Sequence, residues 1–492
     1  MDGLVERLAA VVGKENVASD VNTLERYSKD GSFAVPMKPR LVVRVKSADE
    51  VQSIVKLANE TGTPLVPVSS TGTGQRGDTV PSVPEAVIVD MSGMKRIISV
   101  NRQQRVAIVE PGVTYGELKA VLDKEGLEVS MPLAPKAGKS VIASLLDMEP
   151  RLNALHQWNF IDPLRCTEVV WGDGNRMFTG EAGGGLLDVE KQQSAERWQI
   201  SGTGPMMLDF YRMLTGSQGS MGIVTWASLK CEAASPVHRM HFVPAQKAEQ
   251  LIDFIYRVTR LRLGSEMLLF NRAALATLVA TDADDISKRL GDLPAWVALV
   301  GVSGQSLLPE MRADAHTSDI SEIAQQYGLK LLSSIPGLSG DQVYAKVVNS
   351  SCPEVWKSKS KGSYAELFFT TTLDQVPVFA TAMNSLAIEV GYPLDEIGVY
   401  VNPQNMGTSY HCEFILPYDG TSPAESAKAK QLFTKASEVF SGMGAYYLRP
   451  HGNWSRLQLN KDAQSTMILQ RLKGVFDPNN IMNTGKLGLQ GE

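Results

Sequence analysis

The stretch Leu65-Val66-Pro67-Val68-Ser69-Ser70-Thr71-Gly72-Thr73-Gly74-Gln75-Arg76-Gly77 runs a short strand straight into a loop of glycines and hydroxyls. Glycine lets a backbone come close to a ligand and adopt positive φ. Successive N–H groups in such a loop make a concave anion site, and Ser and Thr hydroxyls add donors. That is the chemistry a pyrophosphate needs. It is not the Walker pattern, because Gly-Lys-Ser/Thr does not stand where that pattern requires it. Gly72, Gly74 and Gly77 spell the dinucleotide GxGxxG, with Asp90 closing the next strand, but that loop has to open a helix. Pro81 and Pro84 follow at once, and a helix interior does not tolerate them. A plain surface turn is the competing reading.

The neighbouring sequence alternates strand and helix. Leu41 to Val45 is β-branched. Ser47 with Glu50 fits a capping box, Val51, Ile54, Val55 and Ala58 recur at helical spacing, and Gly62 ends the helix. Strands follow at residues 86–90 and 105–110. Thr114 with Glu117 caps a further helix. Strand patterns return at residues 167–170 and 222–231, and helical ones at 3–12, 245–261 and 466–475. This pattern predicts an α+β or α/β domain. The run Ala234-Ser235-Pro236 reads as a boundary, and residues 181–199 as an insertion or a partner-facing excursion.

At 492 residues the chain is long enough for two or three domains. Its net charge of -5 disfavours a general nucleic-acid binder. Cys166, Cys231, Cys352 and Cys412 are far apart, with no CxxC pair, so neither a disulfide framework nor a zinc or iron–sulfur site is expected. The amino terminus reads as an amphipathic helix, not a signal peptide, and no apolar run approaches the ~20 residues of a membrane span. The expected location is the cytoplasm.

Three more motifs stand in order: Val109-Glu110-Pro111-Gly112-Val113-Thr114, the run from Leu214 to Thr225 with Gly216, Gly219 and Gly222, and the C-terminal Phe476-Asp477-Pro478 to Lys486. With Val66-Pro67-Val68 and Glu168-Val169-Val170-Trp171-Gly172-Asp173-Gly174 they make five. The set resembles the FAD-linked oxidases of the vanillyl-alcohol oxidase and p-cresol methylhydroxylase fold, nearest the D-lactate and glycolate dehydrogenase type. The likeness covers roughly the first 232 residues and the last twenty. It implies an α+β fold with a two-lobed FAD-binding domain, residues 1–232 completed by 465–492, and an α+β substrate cap at 233–464.

The resemblance also implies cofactor contacts. Ser69, Ser70, Thr71, Gly72, Thr73, Gly74 and Gln75 would hold the pyrophosphate. Gly219, Ser220, Gly222, Ile223 and Val224 would lie beside the adenosine, and Asn483 and Lys486 would approach the flavin. The family's "P.S....ATIGG" stretch departs here to Pro132 through Leu146, where Pro132, Gly138 and Ser140 are the candidate contacts and Gly-Gly is lost. The family's final Asn-Pro-Gly-Lys is Asn483-Thr484-Gly485-Lys486.

In the cap, His411 and Glu413 would share one strand face, with Cys412 on the other. Arg449 and His451 sit at the Arg-x-His-Gly position that the family brings near the flavin. His411, Glu413 and His451 could bind a metal. Without metal, one His serves as base and Arg449 holds a carboxylate or phenolate. Structural roles for both histidines compete with these readings. Lys357, Lys359 and Lys361 read as a solvated loop, and His156, His238, His241 and His316 have no supporting pattern.

The resemblance thus implies FAD-dependent oxidation of a small hydroxy acid or alcohol, with electrons passed to a protein acceptor or oxygen. An aromatic-alcohol or 4-alkylphenol oxidase is the competing enzyme. A flavin-bearing relay subunit with no substrate site is the third reading. An oligomer and an electron-accepting partner subunit are expected.

Overall fold

The computed structural model describes residues 3–153, 157, 162–183, 189–195, 199–204, 208–305, 307–459 and 461–489. His156 and parts of the 181–199 segment lie outside the described residues.

Three sheets carry the architecture. The first has the order Val17–Ala18, Leu41–Arg44, Val87–Asp90, Leu65–Val68, with the last three strands parallel. Parallel strands need crossovers, and the Ala48–Thr61 helix supplies one. Ser47 Oγ caps it by accepting from the Glu50 N–H, while Glu50 Oε2 accepts from the Lys46 N–H, one residue before the box position. Gly62 ends it in the left-handed conformation, φ 63°. Residues 69–86, which carry Pro81 and Pro84, form no helix.

The second sheet is antiparallel, in the order Ile97–Asn101, Val106–Val109, Gly222–Lys230, Leu164–Trp171, Arg176–Phe178. Thr114 opens the Tyr115–Leu122 helix with both halves of a capping box in place. The chain end returns to the first sheet. The Leu65 N–H donates to Ile481 O and the Asn483 N–H to Leu65 O, each at 2.7 Å. Ile481 and Met482 are buried in the core of that lobe.

The third sheet is six-stranded and antiparallel, in the order Val237–Ala245, Trp296–Gly304, Met267–Asn271, Gly398–Gln404, Ser409–Asp419, Gly362–Thr371. Strand alternation splits its faces. Leu367, Phe369, Val399, Val401, Cys412 and Phe414 enter one apolar core, which includes residues of the Val376–Val390 and Pro423–Gly442 helices. Tyr364, Glu366, Tyr400 and Glu413, of opposite parity, line a cavity that loops of the first two sheets also line.

Candidate active site

One cavity of about 780 Å³ joins the glycine-rich loop to the six-stranded sheet. That volume lies in the upper range for small-molecule and cofactor clefts, about 300–1,000 Å³. Ser69 to Arg76 line it, as do Pro132, Gly219, Gly222, Ile223 and Val224. Among the described residues, the N–H groups of Gly72, Thr73, Gly74 and Gln75 donate to no backbone carbonyl. Donors left open in a glycine-rich turn suit a diphosphate. Lys136 adds a cation there, donating to Thr73 O at 2.6 Å, and burial pushes its pKa down to about 8.

The other cofactor candidates stand behind this wall. Gly138 packs on the loop, its carbonyl accepting from the Thr71 N–H at 2.9 Å. Ser140 caps the Val141–Leu146 helix and donates to Pro111 O. Ser220 is buried, and its hydroxyl has no hydrogen-bond partner among the described residues. Asn483 donates to Asp78 O and Gln218 O, and Lys486 to Gly77 O and Val80 O. Both therefore brace the loop from outside the cavity.

At the end nearest the six-stranded sheet, Glu413 and Arg449 line the cavity, whereas His411 and His451 are each one hydrogen bond behind it. His411 Nε2 is 3.1 Å from Glu413 Oε2, and His451 Nε2 is 2.9 Å from Asp147 Oδ1. Arg449 lies flat on Phe368, Cζ 3.9 Å from the ring centroid.

The solvated-loop reading of three lysines is corrected here. Lys357 lines the cavity, donates to Glu366 Oε2 at 2.6 Å and pairs with Glu413 Oε1. Lys359 donates to Leu278 O and Ala280 O, and Lys361 pairs with Glu396 and Glu425. Residue 357 lies within the Trp356–Ser358 turn that buries Trp356, and its partners are carboxylates of the six-stranded sheet.

Lys357 is one link of a buried chain of alternating charge. Glu366 Oε1 accepts from Arg76 Nε at 3.0 Å, and Arg76 NH1 reaches Asp147 and Glu149, each at 2.6 Å. Lys139 pairs with Glu149 at 2.9 Å. Burial alone would raise these carboxyls. Lys357 and then His411 hold Glu413 down at about 2, and Lys357 with Arg76 lowers Glu366. Burial pushes the His411 imidazole down to about 4 despite Glu413. Among the described residues, no three His, Cys, Asp or Glu side chains are placed to share a metal ion. Arg76 and Lys357 occupy the positions between the carboxylates.

Residues 39–148 match the model of an FAD binding domain. The chain is similar to the 4-cresol dehydrogenase [hydroxylating] flavoprotein subunit of Pseudomonas putida, at 22% identity over 99% of this chain and 95% of that one. It is also similar to the mitochondrial D-lactate dehydrogenase [cytochrome] of Arabidopsis thaliana, at 24% over 98% and 80%. The solved structure of p-cresol methylhydroxylase with substrate bound superposes with a TM-score of 0.82, at 19% identity, over 99% of this chain and 96% of that one. This chain is a flavoprotein of the p-cresol methylhydroxylase fold. Its cofactor is FAD.

The five motifs pointed to this fold. The sequence reading missed Arg76, Lys139, Asp147, Glu149, Lys357, Glu366 and Tyr400. Arg76 alone carried a local signal, being the only charged side chain in the loop between Val68 and Gly77.

Proposed function

We propose that this flavoprotein is an oxidoreductase that takes a hydride from the carbon bearing the hydroxyl of a small hydroxy acid or alcohol. The observation that carries this reading is one cavity lined by both the loop of open N–H donors and the Glu413–Lys357–Arg449 end of the cap. The cofactor segments are 69–75, 132–140 and 219–224. Residues 1–232 with 465–492 would hold FAD, and 233–464 would form the cap. When bound, FAD supplies a two-electron acceptor. Glu413, kept ionised by Lys357, takes the hydroxyl proton as the C–H bond breaks and the carbonyl forms. His411 orients Glu413 from behind. Arg449 holds the far oxygen of the substrate.

A 4-alkylphenol is the second reading, favoured by the aromatic wall of Trp356, Tyr364 and Tyr400. Electrons would leave to a partner protein or to oxygen. The name of the Pseudomonas putida relative, a flavoprotein subunit, supports a partner. The 181–199 segment is our docking candidate. Four buried free cysteines suit a reducing compartment, and we place the protein in the cytoplasm, as an oligomer. No helix among the described residues is long and apolar enough to cross a membrane.

The test is the visible spectrum of the holoprotein, followed anaerobically as D-2-hydroxy acids, alcohols and 4-alkylphenols are added in turn. Bleaching by one class supports the reading and selects the class. A flavin that no member of the panel bleaches overturns it.

A further inference from the structure

Tyr400 and Glu413 stand directly opposite each other on the paired strands Gly398–Gln404 and Ser409–Asp419, and both line the cavity. Two residues on, Asn402 stands opposite His411. The four side chains make one polar block on one face of the ladder. Tyr400 is buried, its ring stacked on Phe270 at 5.2 Å and edge-on to His411 at 5.7 Å, so its position is fixed.

Its hydroxyl is polarised in a defined sense. Asn402 Nδ2 donates to the Tyr400 oxygen at 2.9 Å and to Arg151 O at 3.0 Å. A backbone carbonyl only accepts, so Arg151 fixes which end of the amide faces Tyr400. The amide therefore occupies a lone pair of the phenol. The phenol proton has no acceptor among the described residues, although Glu413 is nearby. A buried donor without an acceptor is costly, and the cavity is the open side on which an acceptor can arrive. Burial raises the phenol pKa, so the proton is present throughout the working range of pH.

We propose that Tyr400 donates its hydroxyl proton in a hydrogen bond to the substrate oxygen beside Glu413, with Asn402 as the positioning residue that turns the donor into the cavity. This deepens the proposed oxidation and rests on that reading of the cavity. Neither partner was visible in the sequence, because the block exists only in the strand register. The chemical class it selects is an oxygen-bearing small molecule whose oxygen accepts at Tyr400.

The test compares the parent holoprotein with Tyr400→Phe, which removes one oxygen, and with Asn402→Asp, which replaces the donor by an acceptor and captures the phenol proton. FAD affinity and melting temperature are measured first and are expected to match the parent for Tyr400→Phe. Two unreactive probes, phenol and oxalate, are then titrated against the oxidised flavin band, alongside stopped-flow flavin reduction by the substrate class found above. Tyr400→Phe should weaken the probe that the parent binds, and slow flavin reduction, by about tenfold or more. Asn402→Asp should reproduce that loss, a result that a packing role for Tyr400 does not predict. Probe affinity unchanged in Tyr400→Phe overturns the proposal, as does a parent that binds neither probe. Probe binding that depends on Tyr400 in a protein whose flavin no substrate reduces upholds the anchor and defeats the oxidation reading instead.

Discussion

Arg76 of the glycine-rich loop donates from Nε to Glu366 Oε1 of the cap sheet at 3.0 Å, across 290 positions of sequence. Beside it, Gln75 Nε2 donates to Tyr364 O at 2.7 Å. The loop we assign to the cofactor pyrophosphate is thus tied to the strand that walls the substrate end. The same guanidinium also holds Asp147 and Glu149, so one cation bridges three carboxylates, which Lys139 and Lys357 help to balance.

Arg76→Met leaves those carboxylates buried with too little positive charge. Removing one partner of a buried ionic group costs about 3–5 kcal/mol. We expect a loss of that order at pH 7, measured by urea denaturation of the holoprotein. A loss under about 1 kcal/mol would mean that water or Lys139 compensates, and that the network is not a structural unit.

Lys357→Met should show a pH signature. Glu366 and Glu413 are both held below their ordinary pKa by Lys357, and without it they repel each other. Carboxyls with a lowered pKa contribute stability at pH above about 4.5 and lose it as pH falls through their folded values. The deficit of the variant against the parent should therefore be largest near pH 7 and shrink as pH falls below about 4.5. Melting temperatures of the two proteins from about pH 8 down to about pH 3 check this. A deficit independent of pH would assign Lys357 a packing role alone.

Much of the fold was legible because its signals are local. Ser47, Thr114 and Gly62 mark helix ends within a turn of themselves, and the strand at Leu65–Val68 meets its loop at once. The His411–Glu413 contact followed from strand alternation. The charge chain was not legible, because its links depend on strand pairing and on loops brought together from distant sequence, Arg76 reaching Glu366 across 290 positions. Glu366 and Glu413 meet Lys357 only through the pairing of their two strands, where Phe368 opposes Glu413. Lysines at 357, 359 and 361 looked alike in sequence, yet they have three different sets of partners.

His411→Gln isolates one titration. Burial holds the imidazole at about 4 in the folded protein, against an ordinary 6.5. Between those values the unfolded chain takes up a proton that the folded one does not, so His411 reduces stability as pH falls from 6.5 to 4. Above 6.5 it is neutral in both states and contributes no slope. The stability of the parent minus that of His411→Gln should fall across this window and level off below it. A difference that instead rises as pH falls towards 6.5 and is level below it would mean that His411 is charged in the fold, as a full ion pair with Glu413 requires. Calorimetry at half-unit pH steps distinguishes the two.

Gly138→Ala tests whether the 69–75 loop is the cofactor seat. A Cβ at Gly138 would stand 2.1 Å from Thr71 Oγ1 and 2.8 Å from Thr71 O. The hydroxyl can rotate away, but the carbonyl belongs to the loop backbone, so the loop itself must move. Overpacking of this kind costs about 1–3 kcal/mol, which corresponds to about five- to 150-fold in affinity if the loop binds the cofactor. Gly93→Ala is the control, because a Cβ there meets nothing within 4 Å. Fluorescence titration of the apoproteins with FAD should show the loss for Gly138→Ala and parent-like binding for Gly93→Ala. If Gly138→Ala binds FAD like the parent while its melting temperature drops, the strain is absorbed elsewhere and residues 69–75 do not hold the diphosphate.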